Sequence, residues 1–207
     1  MPEVRISEIE QYYDSRYSNL GDTAFRPREA YKEFIGYLNV SPGKRLLDVG
    51  CGNGFLLFWA KEAGSFTFGT DISEAAVKLA LNNSPGSEIK AGRAETLDFP
   101  DDFFDYLTCL GVLEHCLDIG KALNEMYRVT KKDARLCIMV PNRNFIMWKL
   151  HRQAGTEQQE INEQLFSLKE WLSILRRNNF IVSRLLQDKW GPRNINRSLH
   201  GFQKRLT

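Results

Sequence analysis

Three groups of residues in this 207-residue chain have the types and spacing to do chemistry. The first is Asp48-Val49-Gly50-Cys51-Gly52-Asn53-Gly54, with glycines at alternate positions and an acid two residues before the first of them. Glycines between a strand and a helix permit positive φ and let a ligand approach the backbone closely. The second is Asp71, about twenty residues further on, where a carboxylate can accept both hydroxyls of a ribose. An acid there also suits the start of a helix, whose dipole favours negative charge. The third is Glu114-His115, a carboxylate and an imidazole of the kind that removes a proton from an acceptor near neutral pH. Each has a plainer reading: Glu114 as a scaffold carboxylate, His115 as a helix-start histidine bonded to backbone.

The elements that must position these residues follow from the hydrophobic pattern. Residues 6–17 place Ile6, Ile9, Tyr12, Tyr13 and Tyr17 on one helical face, and a second helix runs from Pro27 to about Asn39. Arg45–Val49 is a short apolar strand entering the glycine turn, followed by a helix from Phe55 that Gly64 closes. A second strand, Phe66–Thr70, ends at Asp71, and Ser73 caps the helix Glu74–Asn82. Strands at 88–91, 104–110 and 134–140 alternate with a helix at 119–129. Ser167-Leu168-Lys169-Glu170 is a capping box opening a last helix, and 180–186 reads as a sixth strand. Strands separated by helices predict an α/β fold, Rossmann-like and doubly wound, a mostly parallel sheet with helices on both faces. Such sheets bind ligands beyond the carboxyl ends of their strands, which is where all three groups fall.

Residues 1–40 form an N-terminal helical cap in this reading and 41–207 the ligand-binding domain. Tyr12, Tyr13 and Tyr17 belong to a lid over the ligand or simply pack their helix on the sheet. An insertion at about 142–163 carries Arg143, Trp148, His151 and Arg152, with Trp190 and Arg193 beyond it, as an acceptor-binding region or a solvated surface.

Composition narrows the function. With 28 Lys+Arg against 26 Asp+Glu, the chain lacks the strongly basic face of a sequence-independent nucleic-acid binder. The balance hides an acidic stretch from Glu88 to Asp118 and a basic one from Tyr127 to Gln153. Cys51, Cys109, Cys116 and Cys137 make no C-x-x-C pair, so neither a zinc site nor a disulfide framework is expected, and no metal. No signal-peptide pattern and no membrane-length apolar run is present, so a reduced cytoplasmic protein is expected. A dinucleotide fingerprint needs a small residue where this chain has Phe55, which disfavours a nicotinamide oxidoreductase.

At LLDVGCGNG, TDIS, AGRAETLDFPDDFFDYLTCLGVLEHC and NEMYRVTKKDARLCIMVPN the sequence resembles the class I S-adenosylmethionine-dependent methyltransferases, in the branch acting mainly on small molecules. The resemblance runs from about Lys44 to Leu186. It implies S-adenosylmethionine as cofactor and methyl transfer to an O, N or C nucleophile of a small-molecule acceptor. It further implies that Asp48 holds the methionine ammonium and that Gly50, Cys51 and Gly52 line the methionine and ribose. Asp71 would hold the ribose hydroxyls, Ile72 would pack on the adenine, Ala94 and Glu95 would reach its edge, and Leu110 and Gly111 would flank the methionine. His115 and Glu114 would stand on the acceptor side. The chain departs from the family at Arg93, where an acid is common, and at Lys131–Ala134, where a Lys-Pro-Gly-Gly turn is usual. Two alternatives remain beside this reading: a catalytically silent partner subunit of the same fold, and an RNA-directed methyltransferase. The oligomeric state is not legible.

Overall fold

The computed structural model describes residues 5–23, 25–145, 161–188 and 203–206. Seven strands form one sheet in the order β3-β2-β1-β4-β5-β7-β6. They are β1 (Arg45–Val49), β2 (Phe66–Asp71), β3 (Glu88–Ala91), β4 (Phe104–Leu110), β5 (Thr130–Val140), β6 (Leu185–Asp188) and β7 (Gln203–Leu206). The first five are mutually parallel, and β7 runs antiparallel to both β5 and β6. Strand order reverses between β1 and β4, and in such sheets the ligand crevice lies at that switch, beyond the carboxyl ends of the strands.

Side chains alternate along each strand, so one sequence feeds two cores. Leu47, Val49, Leu107, Cys109, Ile138 and Val140 face one layer, built on α5 (Ile119–Val129) and α6 (Leu168–Arg177). Leu46, Tyr106, Cys137 and Met139 face the other, with α2 (Lys32–Leu38), α3 (Phe55–Glu62) and α4 (Glu74–Asn83). Phe55 is buried, its ring edge-on to Tyr31 with centroids 6.3 Å apart. Helix α1 (Ile6–Leu20) lies on α4 through Tyr17, Tyr13, Ala76 and Leu79.

Local signals hold at several boundaries. The Ser73 hydroxyl accepts from the Ala76 N–H at 3.1 Å, and the box at Ser167 closes with Glu170 Oε2 accepting from the Ser167 N–H at 2.7 Å. Three elements differ from expectation. The helix after Pro27 begins as a 3-10 turn, Arg28–Tyr31, before α2. Strand β5 starts at Thr130 because Lys131–Ala134, expected as a loop, form an irregularity inside the ladder between the Phe104–Thr130 and Tyr106–Arg135 pairs. The sixth strand is Leu185–Asp188, since Phe180 and Val182 spend their apolar surface on the α5–α6 core instead of a ladder. No helix among the described residues is long and apolar enough to cross a membrane.

Candidate active site

The turn after β1 brings its backbone to Asp71, the last residue of β2. The Gly52 N–H donates to Asp71 Oδ2 at 2.8 Å and the Ser73 N–H to Oδ1 at 3.0 Å. Each carboxylate oxygen is thus fixed in direction and keeps a lone pair for a further donor. Burial lifts this carboxyl to about 6, against the pull of those two hydrogen bonds. Asp48, one strand over, is buried too and accepts from the Thr108 hydroxyl at 2.6 Å. Burial raises it to about 8. Two acids held this way favour a ligand bringing positive charge and hydrogen-bond donors.

Gly52 shows why no side chain fits in the turn. Its φ is 52°, and a Cβ there would stand 2.5 Å from the Tyr17 hydroxyl. Cys51 lines the turn with backbone only, because its Sγ faces Gly69 on β2. Ile72 is half-buried beside Asp71, placed for an apolar contact.

Across the crevice, β4 ends in Leu110 and Gly111, both half-buried, and the Gly111 N–H donates to the Met139 carbonyl at 2.9 Å. A 3-10 turn, Leu113–His115, follows at once and buries both Glu114 and His115. Glu114 Oε1 lies 3.6 Å from where a Cβ on Gly111 would stand. His115 Nδ1 is 3.1 Å from the Ile161 carbonyl. A carbonyl only accepts, so Nδ1 is the donor in this bond. Tyr13 meets the imidazole edge-on, ring centroids 6.0 Å apart. Cys109 is fully buried within β4, with its thiol pushed up by burial, so it belongs to the core.

Ala94 and Glu95 sit after β3 as expected, but Glu95 is occupied. Its Oε1 accepts from the Leu117 N–H at 3.1 Å, and its Oε2 lies 3.6 Å from Arg93 Nε. The unusual Arg93 therefore has a partner, and Glu95 ties the segment after β3 to the one after β4. Arg143 is likewise drawn off the acceptor side, gripping both oxygens of Glu170 at 3.0 and 2.8 Å. Trp148, His151, Arg152, Trp190 and Arg193 lie outside the described residues.

Tyr17 reaches the crevice from the helical face expected of it, and Arg26 reaches it without any sequence signal. Tyr17 rests on Gly52, and α1 is anchored there by Asp14, whose Oδ1 accepts from the Ser73 hydroxyl at 2.6 Å and the Ala75 N–H at 3.1 Å. Arg26, in the connection before α2, places Nη2 3.4 Å from Met139 Sδ at the end of β5. Periodicity finds faces of helices, and Arg26 lies in a connection between them.

Residues 47–138 match the family model described as a methyltransferase domain. The ubiquinone biosynthesis O-methyltransferase of Hahella chejuensis is 30% identical over 151 residues, which is 68% of this chain and 63% of that protein. Over those residues the chain is similar to the S-adenosylmethionine-dependent methyltransferases. A demethylmenaquinone methyltransferase of Streptomyces avermitilis is 31% identical over 107 residues, 52% of this chain and 46% of that one. The chain thus spans less than two thirds of these curated relatives. A methyltransferase of Aquifex aeolicus shares the fold with a TM-score of 0.65 at 19% identity, covering 99% of this chain and 97% of that one.

The buried acids at these strand ends make a pH prediction. Asp48 and Glu114 are raised to about 8 and Asp71 to about 6, above ordinary carboxyls. The fold therefore binds their protons more tightly than the unfolded chain does. Their stabilisation is full below pH 4 and is lost as pH climbs through 6 to 8. Asp48→Asn should raise the melting temperature of the ligand-free protein at pH 8 by about 2–4 °C, the shift ~1 kcal/mol gives a domain this size. It should also flatten the decline between pH 6 and 8 in thermal scans. A variant melting below wild type at pH 8 would contradict the cost assigned to the buried charge.

Proposed function

We propose that the protein binds S-adenosylmethionine in the β1–β4 crevice and transfers its methyl group to a nucleophilic O, N or C atom of a small molecule. The observation that carries this reading is the Asp71 carboxylate, oriented by the Gly52 and Ser73 N–H groups at the strand-order switch. A diol fits those two oxygens, an ammonium suits Asp48, and the bare Gly52 backbone admits both. Arg26 brings a guanidinium to the same crevice for the methionine carboxylate. The cofactor, when bound, supplies an activated methyl on a sulfonium. The chain's own work is then to hold that group, hold the acceptor in line with it, and manage one proton. Residues 1–40 act as the cap, with Tyr13 and Tyr17 as its inner surface, and the segment at about 142–163 meets the acceptor. The two relatives named for quinone biosynthesis support a small-molecule acceptor over a nucleic acid, as does the near-neutral charge.

Calorimetry tests the cofactor. S-adenosylmethionine and S-adenosylhomocysteine should both bind, with the nicotinamide dinucleotides silent; binding of the dinucleotides alone would sink the reading. His115→Ala should leave cofactor affinity within about twofold and cut turnover about tenfold, the loss of one oriented hydrogen bond. Unchanged turnover would remove His115 from the site.

A further inference from the structure

We propose that Glu114 takes the acceptor's proton, and that the acceptor is a small molecule offering an acidic O–H or N–H group, not an anionic one. This rests on the methyl-transfer reading above.

Glu114 is 4% exposed, and its Oε2 is buried with no hydrogen-bond partner among the described residues. A buried carboxylate oxygen left unpaired costs the full desolvation of that atom, so folded proteins rarely leave one. The turn that carries the side chain is pinned on both sides. The Glu114 carbonyl accepts from the Gln164 N–H at 2.7 Å, and its neighbour His115 is bonded to the Ile161 carbonyl. The Gln164 side chain holds the same turn through the Cys116 carbonyl at 2.6 Å. The orphan oxygen thus belongs to a carboxylate held in a fixed turn, whose other oxygen, Oε1, stands beside Gly111 at the end of β4. A donor that completes it has to arrive with a ligand.

The charged and titratable neighbours decide which ligand. Tyr13 of α1 faces Glu114, and the Tyr13 hydroxyl is held well above its usual range by burial, then by Glu114 and Asp71. Glu163, from the connection before α6, adds a second negative charge against Glu114. Cys109 and Cys116 lie close enough to be raised by Glu114 as well. Among the described residues, Arg26 is stationed at Met139 and Arg16 of α1 lies near enough to Tyr13 to pull its hydroxyl down. A deprotonated anionic acceptor would bring no donor to Glu114 Oε2, whereas a hydroxyl or ammonium would meet an acceptor atom short of one. Burial and Glu163 raise Glu114 to about 8, which brings its proton affinity close to that of a phenol or an amine. As the acceptor's O or N bonds to the methyl carbon, the carbon–sulfur pair stays on sulfur and the acceptor's proton passes to Glu114 Oε2. The products are a neutral thioether, a methylated acceptor and a protonated Glu114, so charge and atoms balance.

The test uses protein loaded with S-adenosylhomocysteine and three probes: phenol, benzylamine and benzoate. Calorimetry should find phenol or benzylamine bound at least tenfold more tightly than benzoate, and the two arms tell an oxygen from a nitrogen acceptor. Glu114→Gln should weaken the preferred probe at least tenfold while S-adenosylhomocysteine affinity stays within twofold. Benzoate bound best, none of the probes bound, or a Gln variant binding the preferred probe as wild type does would each overturn the proposal. Glu114→Asp guards against a misfolded Gln variant: keeping the carboxylate one methylene back, it should retain the preference over benzoate, and reversal of that preference would count against us. Failure of wild type to bind S-adenosylhomocysteine at all would strike the methyl-transfer reading instead.

Discussion

Asp71→Ala is expected to weaken S-adenosylmethionine binding ten- to a hundredfold, ~1.5–3 kcal/mol for hydrogen bonds to a charged group. The carboxylate ends β2 with both oxygens directed by backbone N–H groups, so no neighbouring side chain can substitute for it. The fold should survive the change. Its removal strands the Gly52 and Ser73 donors, but it also removes a buried acid raised to about 6, and the two effects oppose each other. Ser73 keeps its cap of Ala76 and its bond to Asp14. Asp71→Asn sharpens the result, because one oxygen becomes an N–H group that must confront either the Gly52 or the Ser73 donor. Titration of the folded variants measures both. A dissociation constant equal to wild type for the Ala variant would remove the ribose role from Asp71.

Gly54→Ala should act on stability, not affinity. Gly54 has φ 78°, and a Cβ there would stand 2.7 Å from Ala80 Cα, 2.9 Å from its Cβ and 3.0 Å from its carbonyl oxygen. Those atoms belong to the body of α4, so nothing flexible can yield. The left-handed conformation costs about 1–2 kcal/mol and overpacking about 1–3 kcal/mol more. A loss of roughly 2–5 kcal/mol should lower the melting temperature by about 5–20 °C. Gly52→Ala shares the left-handed cost, its φ being 52°, but its new methyl meets the end of the Tyr17 side chain, which can move, so its loss of stability should be the smaller of the two. Thermal scans and cofactor titrations of the pair should therefore separate: Gly54→Ala melts early, and Gly52→Ala binds poorly. Equal melting of Gly54→Ala and wild type would mean that α3 and α4 do not approach as closely as described.

The parts of the fold legible in the sequence are those whose reasons are local. Strand β1 and its glycine turn, the Ser73 and Ser167 caps, and Gly64 in the left-handed region at φ 85° each depend on nearby residues. Asp71 was legible by its distance from the glycines alone. The connections that failed are tertiary. Phe180 and Val182 have strand-like chemistry but pack on helices, while Gln203–Leu206 lacks it and pairs because two backbones stand on either side. In the site, Glu114 and His115 were found as types, but their burial was not, because it is imposed by residues 161–164 folding back over the turn. Glu95 shows the reverse: a residue in the expected place whose carboxylate is already spoken for by Leu117 and Arg93.

The position of β7 has a bearing on how the molecule is made. Strand β5, which carries Met139 to the crevice, gets its second neighbour only from residues 203–206. During synthesis β5 is therefore an open edge long after its own residues have left the ribosome, and an open edge invites pairing with other chains. A truncation before Gln203, or a bulky fusion close behind Leu206, would prolong that exposure without touching the crevice. Poor yield of such a product would be a fault of assembly, and its cofactor affinity once folded would not foretell it.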